Sequence, residues 1–133
     1  MENGAIRPKR CALHLDALAL KDRLADPVVL QNTVRVVADI ADMNIMNISV
    51  QNVGMEAATL ERPARPWESG YSVQTLIVVK AALTSSHITI HSWPDWEFFM
   101  FDIVSCQTFD IQAVQNLLSD SLCIGKILEK YTN

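Results

Sequence analysis

The sequence predicts an α+β fold, a two-layer sandwich in which a mainly antiparallel sheet carries two helices on one face. Four strand-like segments follow one another without a helix between them, which favours antiparallel neighbours over parallel crossovers. Both helical segments have an apolar stripe that would pack on a sheet. The chain has 133 residues and is 50% hydrophobic, enough for one core. We therefore expect a single domain over residues 1–133, with residues 1–10 as a flexible tail.

The first part of the chain predicts a strand, a helix and a second strand. Cys11–Ala19 is rich in apolar residues and is predicted to be the first strand. Asp26 is a favourable N-cap, and Pro27 suits the first helical position because its missing N–H costs nothing there. Apolar residues then recur at helical spacing, at Leu30, Val34, Val37 and Ala41. Ile45–Val53 shows partial alternation and predicts the second strand.

The second part predicts three more strands, a second helix and a final element. Gly54–Gly70 contains two prolines and predicts a loop. The third strand is predicted at Tyr71–Leu83, the fourth at Ser86–His91 and the fifth at Trp96–Ser105, with a turn at Trp93–Asp95 between the last two. A second helix follows its N-cap Asp110, and Ile124–Tyr131 is a last short strand or a helix end. Because the fifth strand is rich in aromatic residues, we expect it to place them on the sheet face away from the helices. A symmetric dimer would then bury part of that face.

Charge and cysteine content exclude several classes of protein. A net charge of −4 makes nucleic-acid binding unfavourable, because neutralising phosphates supplies most of that affinity. The longest apolar run, Leu76–Leu83, is too short to cross a bilayer, so no membrane partner is expected. The cysteines Cys11, Cys106 and Cys123 have neither paired nor metal-ligand spacing. We expect no metal site, and reduced thiols in a cytoplasmic protein.

The fourth strand has an unusual polar face. Side chains alternate along a strand, so Ile88 and Ile90 point one way while His87, Thr89 and His91 point the other. A histidine on a half-buried strand is more often a hydrogen-bonded structural residue than a catalyst. Two histidines beside a serine pair also fit a reactive site, where an imidazole that titrates near neutral pH is useful.

The stretch Ser-His-Ile-Thr-Ile-His-Ser-Trp-Pro-Asp at 86–95, with Ile103-Val104-Ser105-Cys106 downstream, resembles the short prokaryotic class of S-adenosylmethionine decarboxylase proenzymes. Members of that class carry a close variant of Ser-His-x-Thr-Ile-His-Thr-Trp-Pro-Glu, with an Asp-x-x-Thr-Cys segment at the same distance. Leu13-His14-Leu15 is a weaker echo of a His-Leu pair on the family's first strand. The close match covers roughly residues 86 to 106 and is ungapped, which makes it specific for the family.

The resemblance implies pyruvoyl-dependent decarboxylation of S-adenosylmethionine for spermidine synthesis, by a homodimer whose sites draw on both protomers. Decarboxylation needs an electron sink that ordinary side chains do not provide. Family members make one by self-cleavage, in which a serine hydroxyl attacks the preceding carbonyl, the peptide becomes an ester, and elimination leaves a pyruvoyl group. Here the cleaved bond would join Ser85 to Ser86, and Ser86 would become the pyruvoyl cofactor.

The resemblance also implies roles for other residues. His91 matches the histidine that assists processing, and Cys106 matches the cysteine that returns a proton to the substrate carbon. Asp95 stands where the family usually has a glutamate that holds the ribose hydroxyls of the substrate. Asp102 also has a family counterpart, for which we expect a structural hydrogen bond.

Three positions depart from the family pattern and leave alternatives open. Ser85 replaces the glutamate before the cleaved serine, Val78 stands where the family has a serine that helps processing, and Leu18 lies near the place of an acidic residue. Altered carboxylates at the pocket would fit a pyruvoyl-dependent decarboxylase of arginine or ornithine. The altered processing residues would fit a non-processing paralogue that acts as a regulatory or interaction subunit. Retention of the serine, the histidine and the cysteine favours an enzyme.

Overall fold

A computed structural model describes residues 10–56, 73–84 and 86–133, with side chains described over 10–52, 75–84 and 86–133. The predicted flexible tail up to residue 9, most of the predicted loop, the start of the third strand and Ser85 lie outside the described residues. The strands are β1 Cys11–Ala19, β2 Ile45–Glu56, β3 Val73–Leu83, β4 His87–Trp93, β5 Phe98–Ser105 and β6 Ile124–Thr132. The helices are α1 Lys21–Leu24, α2 Pro27–Ile40 and α3 Ile111–Leu122, with a 3₁₀ helix at Pro94–Trp96.

The strands form one six-stranded sheet in the order β2-β3-β4-β5-β1-β6. Every neighbouring pair is antiparallel. The predicted α+β fold and its mainly antiparallel sheet are therefore confirmed. The last segment, for which the sequence allowed either a strand or a helix end, forms strand β6. Of the described helices, none is long and apolar enough to cross a lipid bilayer.

The predicted starts of the two long helices are confirmed by capping hydrogen bonds. Asp26 Oδ1 accepts from the Val28 N–H at 2.9 Å, ahead of α2. Asp110 Oδ1 accepts from the Ala113 N–H at 3.0 Å, ahead of α3. The short helix α1 was not predicted, because four residues are too few to show an apolar period.

The core lies between one face of the sheet and the helices. It is built from alternate residues of β1, β3, β4 and β5, together with one side each of α2 and α3. Its largest fully buried side chains include Leu13, Leu15, Leu30, Ile77, Ile88, Ile90, Phe99, Phe101, Ile103 and Leu118. The alternation predicted for the fourth strand is confirmed, since Ile88 and Ile90 are in this core while His87, Thr89 and His91 are not.

The predicted fifth strand, Trp96–Ser105, has four aromatic residues, and the expectation that they lie away from the helices was wrong for two of them. Phe99 and Phe101 are fully buried in the helix-covered core. Phe98 faces the other way and packs with Trp93 and Trp96 in a small separate cluster. The physical reason is strand alternation, which sends the odd-numbered residues of β5 toward the helices.

The sheet face away from the helices, called the open face below, carries two rows of side chains that run across the strands. The first row joins Lys80, Thr89, Asp102, His14 and Tyr131 through successive strand pairings. The second row joins Val78, His91, Met100, Asp16 and Glu129. Charged and polar groups from strands far apart in sequence therefore lie side by side on this face.

Candidate active site

Ser86 lies at the turn between β3 and β4. The Leu83 N–H donates to the Ser86 carbonyl at 3.0 Å, which closes the hairpin over residues 83–86. Ser86 is half-buried and its side chain lies at the end of the sheet. Ser86 is therefore held by a backbone hydrogen bond from the end of β3, whereas Ser85, on the other side of the bond predicted to be cleaved, lies outside the described residues.

Ser86 and Cys106 are in contact although 20 residues separate them. The Cys106 N–H donates to Ser86 Oγ at 3.4 Å, a long hydrogen bond. The pairing of His87 with Val104 in the neighbouring strands sets this approach, because Cys106 follows shortly after that pair. Both residues line a cavity of about 130 Å³, with Asp42, Met43, Asn44, Leu83, Thr84 and Gln107. The structure thus brings together the predicted cleavage residue and the predicted proton donor.

His91 lies on the open face, part-way along β4. Its ring stacks against Trp93, with ring centroids 6.1 Å apart. Burial, and then the positive charge of Lys80, lower the pKa of His91 below its ordinary value and outweigh the opposing charge of Asp102. An imidazole with a lowered pKa is neutral near pH 7 and is able to accept a proton.

His91 and Asp95 do not lie beside Ser86 in the same chain. His91 is five positions after Ser86, and at a rise of about 3.3 Å per residue an extended strand places the two about 16 Å apart. Asp95 lies in the 3₁₀ helix beyond the far end of β4. There its Oδ2 accepts from the Thr75 N–H at 3.1 Å, and its Oδ1 is 3.4 Å from Lys21 Nζ. Of the four predicted site residues with described side chains, only Ser86 and Cys106 meet.

A second cluster of titratable residues lies on the open face around His14. His14 Nδ1 is 2.6 Å from Asp102 Oδ1, and His14 Nε2 is 2.9 Å from Asp16 Oδ1. The ring of Tyr131 lies beside the imidazole, at a centroid distance of 5.8 Å. Asp102 therefore makes the structural hydrogen bond expected of it. Sequence reasoning did not single out Asp16, although its spacing of two residues from His14 on a strand puts both on one face.

The electrostatics of this cluster favour a protonated His14. Burial alone would lower the pKa of His14, but the hydrogen bond and charge of Asp102, together with Asp16, raise it above its ordinary value. Ionised carboxylates only accept hydrogen bonds, so an imidazole between two of them is best matched when both nitrogens donate.

The raised pKa of His14 predicts a pH-dependent contribution to stability. A histidine pKa that is higher in the folded state stabilises the fold fully below the unfolded-state pKa of about 6.5, and this contribution is lost as pH rises through the folded-state value. The loss in unfolding free energy for His14→Gln, from urea titrations, should therefore be larger at pH 5.5 than at pH 9. Gln112→Ala, on the exposed side of α3, is the control. A loss for His14→Gln that is the same at both pH values would contradict the prediction.

A family model described as S-adenosylmethionine decarboxylase matches residues 12–132. The chain belongs to this family. The S-adenosylmethionine decarboxylase proenzyme of Saccharolobus solfataricus is 33% identical over 86 residues, which are 65% of this chain and 53% of that protein. The arginine decarboxylase proenzyme of Ignicoccus hospitalis is 31% identical over 85 residues, which are 63% of this chain and 46% of that protein. The matched region thus spans about half the length of these curated relatives.

The fold is also that of a solved family member. The crystal structure of adenosylmethionine decarboxylase from Aquifex aeolicus superposes with a TM-score of 0.65, over 96% of this chain and 91% of that one. The sequence identity is 15%, so this likeness supports the architecture alone. The predicted family and fold are confirmed, while the roles predicted for the individual site residues remain predictions.

Proposed function

We propose that this chain is a proenzyme that cleaves itself between Ser85 and Ser86 and then decarboxylates S-adenosylmethionine for spermidine synthesis. The observation that carries the proposal is the contact between the Cys106 N–H and Ser86 Oγ. It joins the two ends of the motif that resembles the family, at the wall of a cavity. Family membership over residues 12–132 supports the same chemistry.

A pyruvoyl group at position 86 fits its surroundings. It would derive from the atoms of Ser86 itself, so it needs no more room than the serine that is already accommodated beside the cavity. Among the described residues that line the cavity, none carries an amine that would compete with a substrate for a ketone. When present, the group supplies the electron sink for decarboxylation.

The residues around position 86 have separate proposed tasks. The Cys106 N–H would hold Ser86 Oγ in place before cleavage, and half-buried Cys106 lines the cavity, where its thiol would return a proton to the substrate carbon. Neutral His91 would accept and release protons during processing. The described cysteines Cys11, Cys106 and Cys123 form no disulfide, in keeping with the cytoplasmic location that we propose.

We also propose that the working form is a symmetric homodimer. His91 and Asp95 lie away from Ser86 within one chain, so they contribute to its site only if a second copy supplies them. The open face bears His91 and the charged rows described above, and a two-fold contact on this face would bring the strands of both copies together. Asp95, held by Lys21 and by the Thr75 N–H, would then be oriented toward the ribose hydroxyls of a substrate in the partner's site.

The second candidate function keeps the pyruvoyl group and changes the substrate to arginine, or to ornithine. The Ignicoccus hospitalis relative, named an arginine decarboxylase proenzyme, favours this alternative. So does Asp95, whose side chain is one methylene shorter than the usual glutamate.

Release of labelled CO₂ distinguishes these substrates. We expect purified, processed protein to release CO₂ from carboxyl-labelled S-adenosylmethionine with a kcat/KM at least about 100-fold above those for arginine and ornithine, because a pocket that hydrogen-bonds ribose hydroxyls rejects substrates without them. The Ser86→Ala variant provides the background rate. Faster release from arginine or ornithine would establish the second candidate. A wild-type chain that stays uncut would remove both and leave the non-processing paralogue.

A further inference from the structure

We infer that Gln107 is a positioning residue for this site: its side-chain amide ties the segment after β5 to the end of α2 and so holds the Cys106 N–H against Ser86 Oγ. The inference rests on the proposed function for the role of Ser86. The contacts of Gln107 themselves do not depend on it.

The end of α2 is closed by a Schellman-type pair of hydrogen bonds. The Met43 N–H donates to the Ala38 carbonyl at 2.8 Å, and the Asp42 N–H donates to the Asp39 carbonyl at 3.1 Å. Asp42 adopts a left-handed conformation with φ of 56°, at the position where glycine is commonest. This arrangement leaves the carbonyls of Ala41 and Asp42 as further acceptors at the helix end.

Gln107 donates to both of those carbonyls. Its Nε2 lies 3.2 Å from the Ala41 oxygen and 3.0 Å from the Asp42 oxygen. Both amide hydrogens are thereby used, across a sequence separation of 65 residues or more. The Gln107 N–H also donates to Ser105 Oγ at 3.0 Å, and Ser105 is only 1% exposed. The two residues next to Cys106 are thus fixed: Ser105 and Gln107 are bonded to each other, and Gln107 is also bonded to the end of α2.

The consequence for the site follows from where β5 ends. Cys106 follows the last strand pairs of β5, His87 with Val104 and Cys11 with Ser105, so it lies just past the end of the strand ladder. Its N–H reaches Ser86 Oγ at 3.4 Å, where a small displacement would break the contact. Gln107 lines the same cavity as Ser86 and Cys106, and its side-chain amide is bonded to the carbonyls at the end of α2 on the cavity's other side.

The required chemistry is that of a glutamine. A glutamate has the same size, but its carboxylate has only acceptors and repels the two carbonyl oxygens. An alanine removes the side-chain amide, so both carbonyls lose the hydrogen bond from residue 107. Comparing the two variants distinguishes the contribution of the amide group from that of the side-chain volume. Gln112→Ala is the matched control, because Gln112 is an exposed glutamine in α3 that donates to Asn116 Oδ1.

The first measurement is independent of self-cleavage. Iodoacetamide alkylation of Cys106, relative to the half-buried Cys123 in the same molecule, reports the local exposure of the Cys106 segment. We expect Gln107→Ala and Gln107→Glu to raise this ratio at least about threefold through loss of two hydrogen bonds, with Gln112→Ala unchanged. The second measurement is the rate of chain cutting by intact mass, which should fall about tenfold or more in both variants because the contact with Ser86 is displaced.

Each outcome is decisive. An unchanged alkylation ratio in both Gln107 variants overturns the inference, whatever the rate of cutting. A raised ratio with normal cutting overturns the link from Gln107 to Ser86. If the wild-type chain itself does not cut, the proposed function fails, and the alkylation ratio alone decides whether Gln107 holds the Cys106 segment.

Discussion

Replacing Ser86 with alanine should leave the chain as one uncut polypeptide and abolish CO₂ release. Alanine lacks the Oγ that would attack the preceding carbonyl, so the ester that precedes cleavage cannot form at residue 86. The wild type should instead appear in intact-mass spectra as two fragments, residues 1–85 and 86–133. Self-processing further predicts that the second fragment is lighter than its serine-terminated form by one ammonia, because the amine of residue 86 is lost when the ketone forms. Simple proteolysis would not cause that loss.

Ser49→Ala serves as a control for Ser86→Ala, since Ser49 is an exposed serine on β2, away from the turn. It should process and turn over normally. An uncut wild-type chain, or CO₂ release by Ser86→Ala above background, would contradict the mechanism.

Co-expression of a Ser86→Ala chain with a His91→Ala chain tests whether the site is shared between two protomers. The His91→Ala chain should be cut only in mixed dimers, where its partner supplies an intact His91.

Replacing Cys106 with alanine should preserve cutting and lower decarboxylation about 10²- to 10⁴-fold, the usual contribution of a positioned general acid. The contact with Ser86 Oγ comes from the backbone N–H of Cys106, and alanine retains that donor. The thiol that would protonate the substrate carbon is lost. The measurement is single-turnover CO₂ release by chains already shown to be fully cut by intact mass.

Cys123→Ala is the matched control for Cys106→Ala, because Cys123 is a half-buried free thiol at the end of α3, away from Ser86. It should retain both activities. Full decarboxylation by Cys106→Ala would exclude the thiol as the proton donor. Loss of cutting in Cys106→Ala, with an unchanged melting temperature, would show that the side chain also takes part in processing.

Most of the fold follows from local patterns. Strand alternation placed Ile88 and Ile90 in the core, and capping rules placed the helix starts at Asp26 and Asp110. The sequence pattern was insufficient in two places. Helix α1 has too few residues to show a period, and the start of β5, Phe98–Phe101, is apolar at every position and so does not show which side faces the helices. The side on which Phe99 lies is fixed by the pairing of β5 with β1 and β4.

Less of the candidate site could be predicted, because it depends on strand register and on long-range contacts. Ser86 and Cys106 were singled out through the motif. Their hydrogen bond depends on the offset between β4 and β5. His14 meets Asp102 only because β1 lies beside β5, and Gln107 reaches Asp42 across the molecule. A single sequence carries no local signal for such partners.

The strand order has a consequence for the product of a cut after residue 85. β1, β2 and β3 would belong to one fragment and β4, β5 and β6 to the other, and β1 lies between β5 and β6. The two polypeptides would therefore interleave across three seams of backbone hydrogen bonds, β3–β4, β5–β1 and β1–β6. Neither piece could leave without unzipping the sheet, so a matured molecule should survive dilution intact. Once denatured, its recovery would become a bimolecular reaction.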